Sequence, residues 1–268
     1  MSRLAWEFLR RDLLDEAGAR FVLLVQLLNV SITMAGYVFL SRLVEKDALG
    51  RWTSAGEGYF AFVVVGMATN GAMLTALHGL SQRLQRQRAS GALKPLFFGQ
   101  TRPETVVLLS SVYPLLRAAA DFAMYLVIGL LLGGLSLSGA NLVGALAVAV
   151  LALVAFASLG IWAAAFSVLF RGGDPVVWLI GSASFLLSGV LYPPALLPAP
   201  LRWAAEVFPL THALGGLRAA LLAGAPLQEL AVPMLWLAGF SLLVAPLGLA
   251  MFNAALTRAR THGSLART

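Results

Sequence analysis

The feature of this sequence that most constrains its fold is a series of six long apolar segments separated by short polar ones. A helix needs about 20 predominantly apolar residues to cross a hydrocarbon layer roughly 30 Å thick. Most of the six segments reach that length, and only the third contains charged residues. The predicted spans are residues 21–40, 59–80, 104–132, 142–170, 176–191 and 230–256. We therefore predict an all-α integral membrane protein with six transmembrane helices.

Composition supports a membrane protein over a soluble domain. Of the 268 residues, 59% are hydrophobic and only 12% are charged, whereas soluble domains contain about 25% charged residues. The chain has no cysteine, which excludes disulfides, thiolate catalysis, zinc–thiolate sites and iron–sulfur clusters. Several acidic residues precede the first apolar segment, unlike the basic start of a secretory signal peptide. The first span is therefore expected to remain in the mature protein.

The distribution of charge predicts the orientation of the spans. The formal net charge is +7, and with six spans and both termini cytoplasmic, all of it falls on the cytoplasmic side. This asymmetry is the one that the positive-inside rule requires. A similar charge on a soluble protein would suggest nucleic acid, but here topology explains it, and no nucleic-acid partner is predicted.

A strongly basic stretch, residues 81–104, separates the second and third spans. Within it, residues 89–98 are predicted to form a short amphipathic helix. Its apolar side carries Leu93, Leu96 and Phe97, and its basic side carries Arg88 and Lys94. Charge alone leaves two interpretations open: a docking helix on the cytoplasmic side, or a basic loop that faces solvent or lipid headgroups.

Two further segments are predicted to lie along or partly within the membrane. Residues 1–20 alternate charged and apolar side chains at helical spacing, which is typical of an interfacial helix. Residues 195–222 follow a run of prolines that interrupts any span, yet they are too apolar for an ordinary loop. We predict that they form a re-entrant helical hairpin on the extracellular side, with Gly215 and Gly216 near its bend.

The C-terminal half of the chain carries a motif that resembles the signature of the type 2 ATP-binding-cassette exporter permeases. The matching residues are Gly189-Val-Leu-Tyr-Pro193, Leu197-Pro198, Phe208-Pro-Leu-Thr211, Leu217-Arg218-Ala219-Ala220 and Gly224. Residues 88–96 resemble the coupling helix of that family, although Ser90 and Lys94 stand where relatives often have acids. The resemblance covers essentially the whole chain and implies a permease in the cytoplasmic (inner) membrane of a bacterium.

The resemblance also implies partners. A permease of this family pairs with a second permease chain, here predicted to be a second copy in a homodimer, and with two ATPase subunits. The chain itself has only two lysines, Lys46 and Lys94, and neither follows a glycine as a phosphate-binding loop requires. We therefore predict no catalytic residue, metal or cofactor in this chain, with ATP and magnesium bound by the partner ATPase.

We predict conformational coupling, in which ATP-driven closure of the partner subunits moves the coupling helix and tilts the first, second and fifth spans between inward-open and outward-open states. In relatives those spans line a central cavity. The coupling candidates are Arg88, Gly91, Leu93, Lys94, Leu96 and Phe97. The cavity candidates are Gln26, Asn29, Thr33, Thr69, Asn70, Met73, Ser182, Ser184 and Ser188. The alternative is structural: hydroxyls bond their own helix carbonyls, and Asn and Gln tie helices together. The predicted substrate is apolar or amphipathic: a lipid, a glycan or polysaccharide, or a drug.

The third span contains a charged pair, Arg117 and Asp121. Residues four apart share one helix face and can pair, which lowers the cost of holding charge within a membrane. A proton or ion relay would need further titratable groups, which the other spans do not supply. We favour a structural pair near the inner leaflet that locks the third span against its neighbours.

Two other classes of function have less support in the sequence. An intramembrane serine hydrolase would need Ser182 or Ser184 beside His78 or His212, but neither histidine is expected at the depth of those serines. A secondary carrier is disfavoured because the two halves of the chain show no internal repeat.

Overall fold

The chain forms helices joined by turns in a computed structural model, which describes residues 20–43, 58–89, 103–133, 135–169 and 175–261. These residues contain eight α-helices, one short 3₁₀ helix at Pro194–Leu196 and no strand. The α-helices are α1 (Arg20–Leu43), α2 (Tyr59–Ala89), α3 (Pro103–Leu131), α4 (Leu142–Leu169), α5 (Pro175–Leu187), α6 (Ala199–Ala205), α7 (Pro209–Leu221) and α8 (Ala231–Thr261). The predicted all-α fold is confirmed for these residues.

Five of the described helices, α1 to α4 and α8, are long and apolar enough to cross a membrane. The remaining span predicted at residues 176–191 is shorter than expected, because α5 has 13 residues and so measures only about 20 Å. It ends at Leu187, and Gly189 follows with a φ of 80°, a left-handed conformation that favours glycine because it has no Cβ. The count of six full spans stays a prediction.

Helix α2 is longer than its sequence predicted. The second span was expected to end at residue 80, but the helix continues to Ala89. The added residues are mainly Gln and Arg, which are good helix formers, with no Gly or Pro among them. The guanidinium carbon of Arg83 lies 4.2 Å from the ring centre of Tyr113 in α3. The start of the basic stretch, residues 81–89, is therefore a helical extension of α2.

The segment after α5 contains two helices, α6 and α7, but their bend is not where it was predicted. The chain turns at residues 206–208, and Pro209 begins α7, a position where proline is well tolerated. Gly215 and Gly216 lie within α7, so their predicted place at the bend is wrong. Gly216 instead permits close packing, because a Cβ there would come within 2.9 Å of Val148 Cγ1 in α4.

The core forms around α2 and α4. Helix α4 packs most extensively against α8, and α2 packs against α3 and α4. Small residues allow the antiparallel approach of α2 and α3: Gly79 lies against Pro114, and Gly129 lies against Val64, as expected for helices packed within a membrane. Helix α1 contacts only the edge of this core and leaves most of its apolar side chains exposed.

Two predicted elements fall on parts of the chain that the structure leaves undescribed. The interfacial helix predicted at residues 1–20 lies outside the described residues except for Arg20, which belongs to α1. The coupling helix predicted at residues 89–98 lies outside them except for Ala89, the last residue of α2. The coupling candidates Gly91, Leu93, Lys94, Leu96 and Phe97 therefore stay predictions, and Arg88 is known only to belong to α2.

Candidate functional site

A polar network inside the helix bundle surrounds the buried carboxylate of Asp121 in α3. Its Oδ1 accepts hydrogen bonds from Gln26 Nε2 of α1 at 2.7 Å and from Arg117 Nε at 3.2 Å. Its Oδ2 accepts a hydrogen bond from Thr75 Oγ1 of α2 at 2.6 Å. Arg117 Nη2 also donates to Gln26 Oε1. The network therefore joins three helices through one ion pair.

The position of the pair explains why it needs this much support. Arg117 and Asp121 lie near the middle of the apolar part of α3, Val107–Leu131; their predicted place near the inner leaflet stays a prediction. Charges at such depth are costly unless they are paired and hydrogen-bonded. Here both carboxylate oxygens have donors, so the arrangement matches the structural role favoured above. Gln26, predicted to line the cavity, is part of this network.

The other cavity candidates lie mainly between helices. Gly66 of α2 lies against Val190, and Gly181 of α5 lies against Leu74 of α2, so the two helices run antiparallel along one another. This register places Asn70 and Ser184 at neighbouring levels of the interface. Among the candidates Thr69, Asn70, Met73, Ser184 and Ser188 are buried, Thr33 and Ser182 are half-buried, and Asn29 is exposed.

The interface between α2 and α5 contains polar atoms without protein partners. Asn70 Oδ1, Ser184 Oγ and Ser188 Oγ are buried, and none has a hydrogen-bond partner among the described residues. Each such atom costs about 1–3 kcal/mol. Thr69 differs, because its hydroxyl donates to Val65 O of its own helix at 2.7 Å. The core thus holds a strip of incompletely satisfied polar groups where two helices meet.

The guanidinium of Arg218 in α7 connects three elements at one end of the same interface. Its Nη1 donates to Gly189 O at 2.9 Å, and its Nη2 donates to Val190 O at 3.0 Å and to Phe62 O of α2 at 3.1 Å. Its Cζ lies 3.4 Å from the ring centre of Phe62. The sequence motif contains Gly189, Val190 and Arg218, yet no role was predicted for the arginine. The available signal was that Arg218 is the one formally charged residue of α7.

Gly66 makes this connection possible. A Cβ at Gly66 would overlap Val190 O and come within 2.9 Å of Arg218 Nη2. We expect Gly66→Ala to lower the free energy of unfolding by about 1–3 kcal/mol, because overpacking forces the backbones apart. SDS titration of the purified chain in mixed micelles would measure the change.

The matched control for Gly66→Ala is Gly215→Ala in α7, where nothing lies within 4 Å of the added Cβ. This change should be neutral, or stabilising by up to about 1 kcal/mol, because alanine favours helix over glycine. Equal effects of the two substitutions would contradict close packing at Gly66.

One of the two histidines considered for the hydrolase alternative, His212, is engaged elsewhere. The ring of His212 stacks on Trp236 with centroids 3.9 Å apart, and its Nε2 lies 2.9 Å from the backbone oxygen of Glu206. Ser184 Oγ has no hydrogen-bond partner among the described residues, so no histidine in that part of the chain activates it. The geometry gives no support to a Ser–His pair at Ser184.

The fold and the buried polar groups together identify the chain as a multi-pass α-helical membrane protein. Beside its core lies a hairpin of two short helices, α6 and α7. Residues 4–222 match the family model described as ABC-2 type transporter. The chain belongs to this family, whose members are membrane components of ATP-binding-cassette transporters and associate with an ATPase partner. A comparison with curated proteins finds no match.

Proposed function

We propose that the chain is the permease subunit of an ATP-driven exporter in the cytoplasmic membrane of a bacterium, with both termini in the cytoplasm. Two copies form a homodimer that binds two ATPase subunits, which bind ATP and magnesium. The substrate is apolar or amphipathic: a lipid, a glycan or polysaccharide, or a drug. Family membership favours this transporter over the hydrolase and carrier alternatives.

The observation that carries the proposal is the strip of unpartnered polar atoms between α2 and α5. Asn70 Oδ1 and Ser184 Oγ are buried without hydrogen bonds among the described residues, so the closed interface leaves their hydrogen-bonding capacity unused. Separation of α2 and α5 would expose both atoms to water or to a substrate. The new hydrogen bonds would recover part of the free energy lost when the two atoms were buried without partners. An interface of this kind suits alternation between closed and open states.

The route by which ATP drives this motion begins at the cytoplasmic end of α2. The helix continues without interruption from Tyr59 to Ala89, so it links the polar interface to the proposed coupling helix, residues 89–98. Because closure of the ATPase subunits would displace that short helix, the displacement would pass directly into α2.

The first experiment is purification of the tagged permease from its native membrane, identification of the co-purifying ATPase, and measurement of ATP hydrolysis in lipid. A stable assembly that hydrolyses ATP supports the proposal. A chain that binds no ATPase and shows no associated hydrolysis overturns it.

Charge reversal in the basic stretch tests the coupling element. We expect Arg88→Glu with Lys94→Glu to lower the affinity of the permease for its ATPase at least about tenfold, which corresponds to 1.4 kcal/mol of docking free energy, and to lower the ATP hydrolysis of the purified assembly with it. Hydrolysis and co-purification are measured together, with the melting curve of the permease alone as a check on folding.

The control for this double variant is Arg202→Glu in α6. Arg202 is exposed and lies in the predicted extracellular hairpin, so its reversal should leave docking unchanged. Normal hydrolysis after reversal at Arg88 and Lys94 would exclude them from the coupling element.

A further inference from the structure

The contact between α2 and the α5 segment differs at its two ends. At the end near Phe62 and Val190, the guanidinium of Arg218 joins the two elements through backbone carbonyls. Further along, Asn70 Oδ1 and Ser184 Oγ face no hydrogen-bond partner among the described residues. The end at Gly189 and Val190 is therefore fastened by Arg218, while unpartnered polar groups begin beside it at Ser188 Oγ and continue to Ser184 and Asn70.

The fastened end is strong for several independent reasons. Hydrogen bonds from a charged donor are roughly twice as strong as neutral ones, and the planar guanidinium presents its donors in a fixed arrangement. Its two bonds to Gly189 and Val190 lie just beyond the C-terminal end of α5, where the helix dipole favours a positive charge. Contact with the ring of Phe62 adds a cation–π interaction.

Close packing reinforces these polar contacts. Phe62 and Val190 are buried, and Gly66 lets the backbone of α2 approach Val190 O directly. Separation at this end would therefore break charged hydrogen bonds and expose apolar surface. Separation at the Asn70 and Ser184 level would instead release two unsatisfied polar atoms.

We infer that Arg218 is the fixed point about which α2 and α5 separate during transport. It is a positioning residue that holds Phe62 of α2 and the Gly189–Val190 turn together in both transport states, so that the interface opens only at the level of Asn70 and Ser184. The inference rests on the proposed function, because it assumes that nucleotide drives a conformational cycle.

The test uses single cysteines as reporters, since the chain has none of its own. Ser184→Cys, the opening reporter, lies at the level that should separate, and Val190→Cys, the anchor reporter, lies at the fastened end; both native side chains are buried. The complex of permease and ATPase is placed in lipid nanodiscs, and labelling by N-ethylmaleimide is timed without nucleotide and after trapping with ATP and vanadate.

We expect the labelling rate of the opening reporter to differ at least about tenfold between the two conditions, the ratio that corresponds to 1.4 kcal/mol in an opening equilibrium. The anchor reporter should stay slow in both. If nucleotide changes the labelling rate of the anchor reporter as much as that of the opening reporter, the inference is overturned, because the supposedly fixed end would then open too.

Substitution of the arginine gives the second arm. Arg218→Gln should raise the labelling rate of the anchor reporter about tenfold, and Arg218→Lys should give an intermediate rate, because lysine keeps the charge but loses the planar fork. Arg202→Gln, at an exposed arginine of α6, is the control. Unchanged protection of the anchor reporter in Arg218→Gln would also overturn the inference.

The two proposals fail in different ways. If the opening reporter ignores nucleotide and no ATPase binds, the proposed function fails, and with it the transport role of Arg218. If the opening reporter responds to nucleotide but the anchor reporter responds equally, the transporter stands and the fixed point does not.

Discussion

Replacement of Asp121 with leucine is expected to lower the free energy of unfolding by about 3–5 kcal/mol, the largest single effect that this structure predicts. The substitution leaves the guanidinium of Arg117 without its carboxylate near the middle of α3. It also removes the acceptor for Gln26 and Thr75, so α1 loses one of the two hydrogen bonds that join Gln26 to α3. SDS titration in mixed micelles, followed by circular dichroism, measures the change.

Two further variants show whether the effect comes from the broken pair. Glu229→Leu makes a closely similar chemical change at an exposed site outside the helices, and should cost little. The double variant Arg117→Leu with Asp121→Leu should recover at least about half of the lost stability, because removal of both charges leaves none uncompensated. A double variant as unstable as Asp121→Leu alone would contradict a structural ion pair.

Removal of the unpartnered polar groups is expected to make the protein more stable and less active. Asn70→Leu with Ser184→Ala should raise the free energy of unfolding by about 1–3 kcal/mol per group, because each substitution removes an unsatisfied buried atom. The same change favours the closed interface between α2 and α5, so ATP turnover by the assembly should fall. Stability is measured by SDS titration and turnover by ATP hydrolysis in lipid.

The matched control is Ser241→Ala in α8. Ser241 is also a buried serine, but its hydroxyl donates to Leu237 O at 2.7 Å, so its removal should give no gain in stability. If Ser184→Ala and Ser241→Ala change the stability equally, the hydroxyl of Ser184 is hydrogen-bonded as that of Ser241 is. The proposed opening between α2 and α5 then loses its basis.

The positions of the long helices could be predicted from the sequence because each coincides with an apolar run. Where a helix leaves the membrane, however, composition does not say where the helix ends: α2 continues through a basic segment to Ala89 because its residues favour helix. The bend of the hairpin was misplaced for a related reason. Glycine marks both turns and close packing, and Gly216 serves the second purpose against Val148.

The polar site was predictable only where its partners are close in sequence. The spacing of Arg117 and Asp121 predicts their pairing, since residues four apart share a helix face. Their bonds to Gln26 and Thr75 depend on how three helices pack, and those residues lie 95 and 46 positions from Asp121. The contacts of Arg218 are equally remote, because Phe62 O is 156 positions away.

The unbroken course of α2 has a mechanical consequence. A helix of 31 residues measures about 46 Å, and the described α2 contains no proline at which it could bend. It can therefore act as a stiff lever: a push on the end at Ala89 becomes a change of tilt along its whole length. Helices α3 and α8 carry Pro114 and Pro246 in their interiors, so any flexing that accommodates the lever is expected in them.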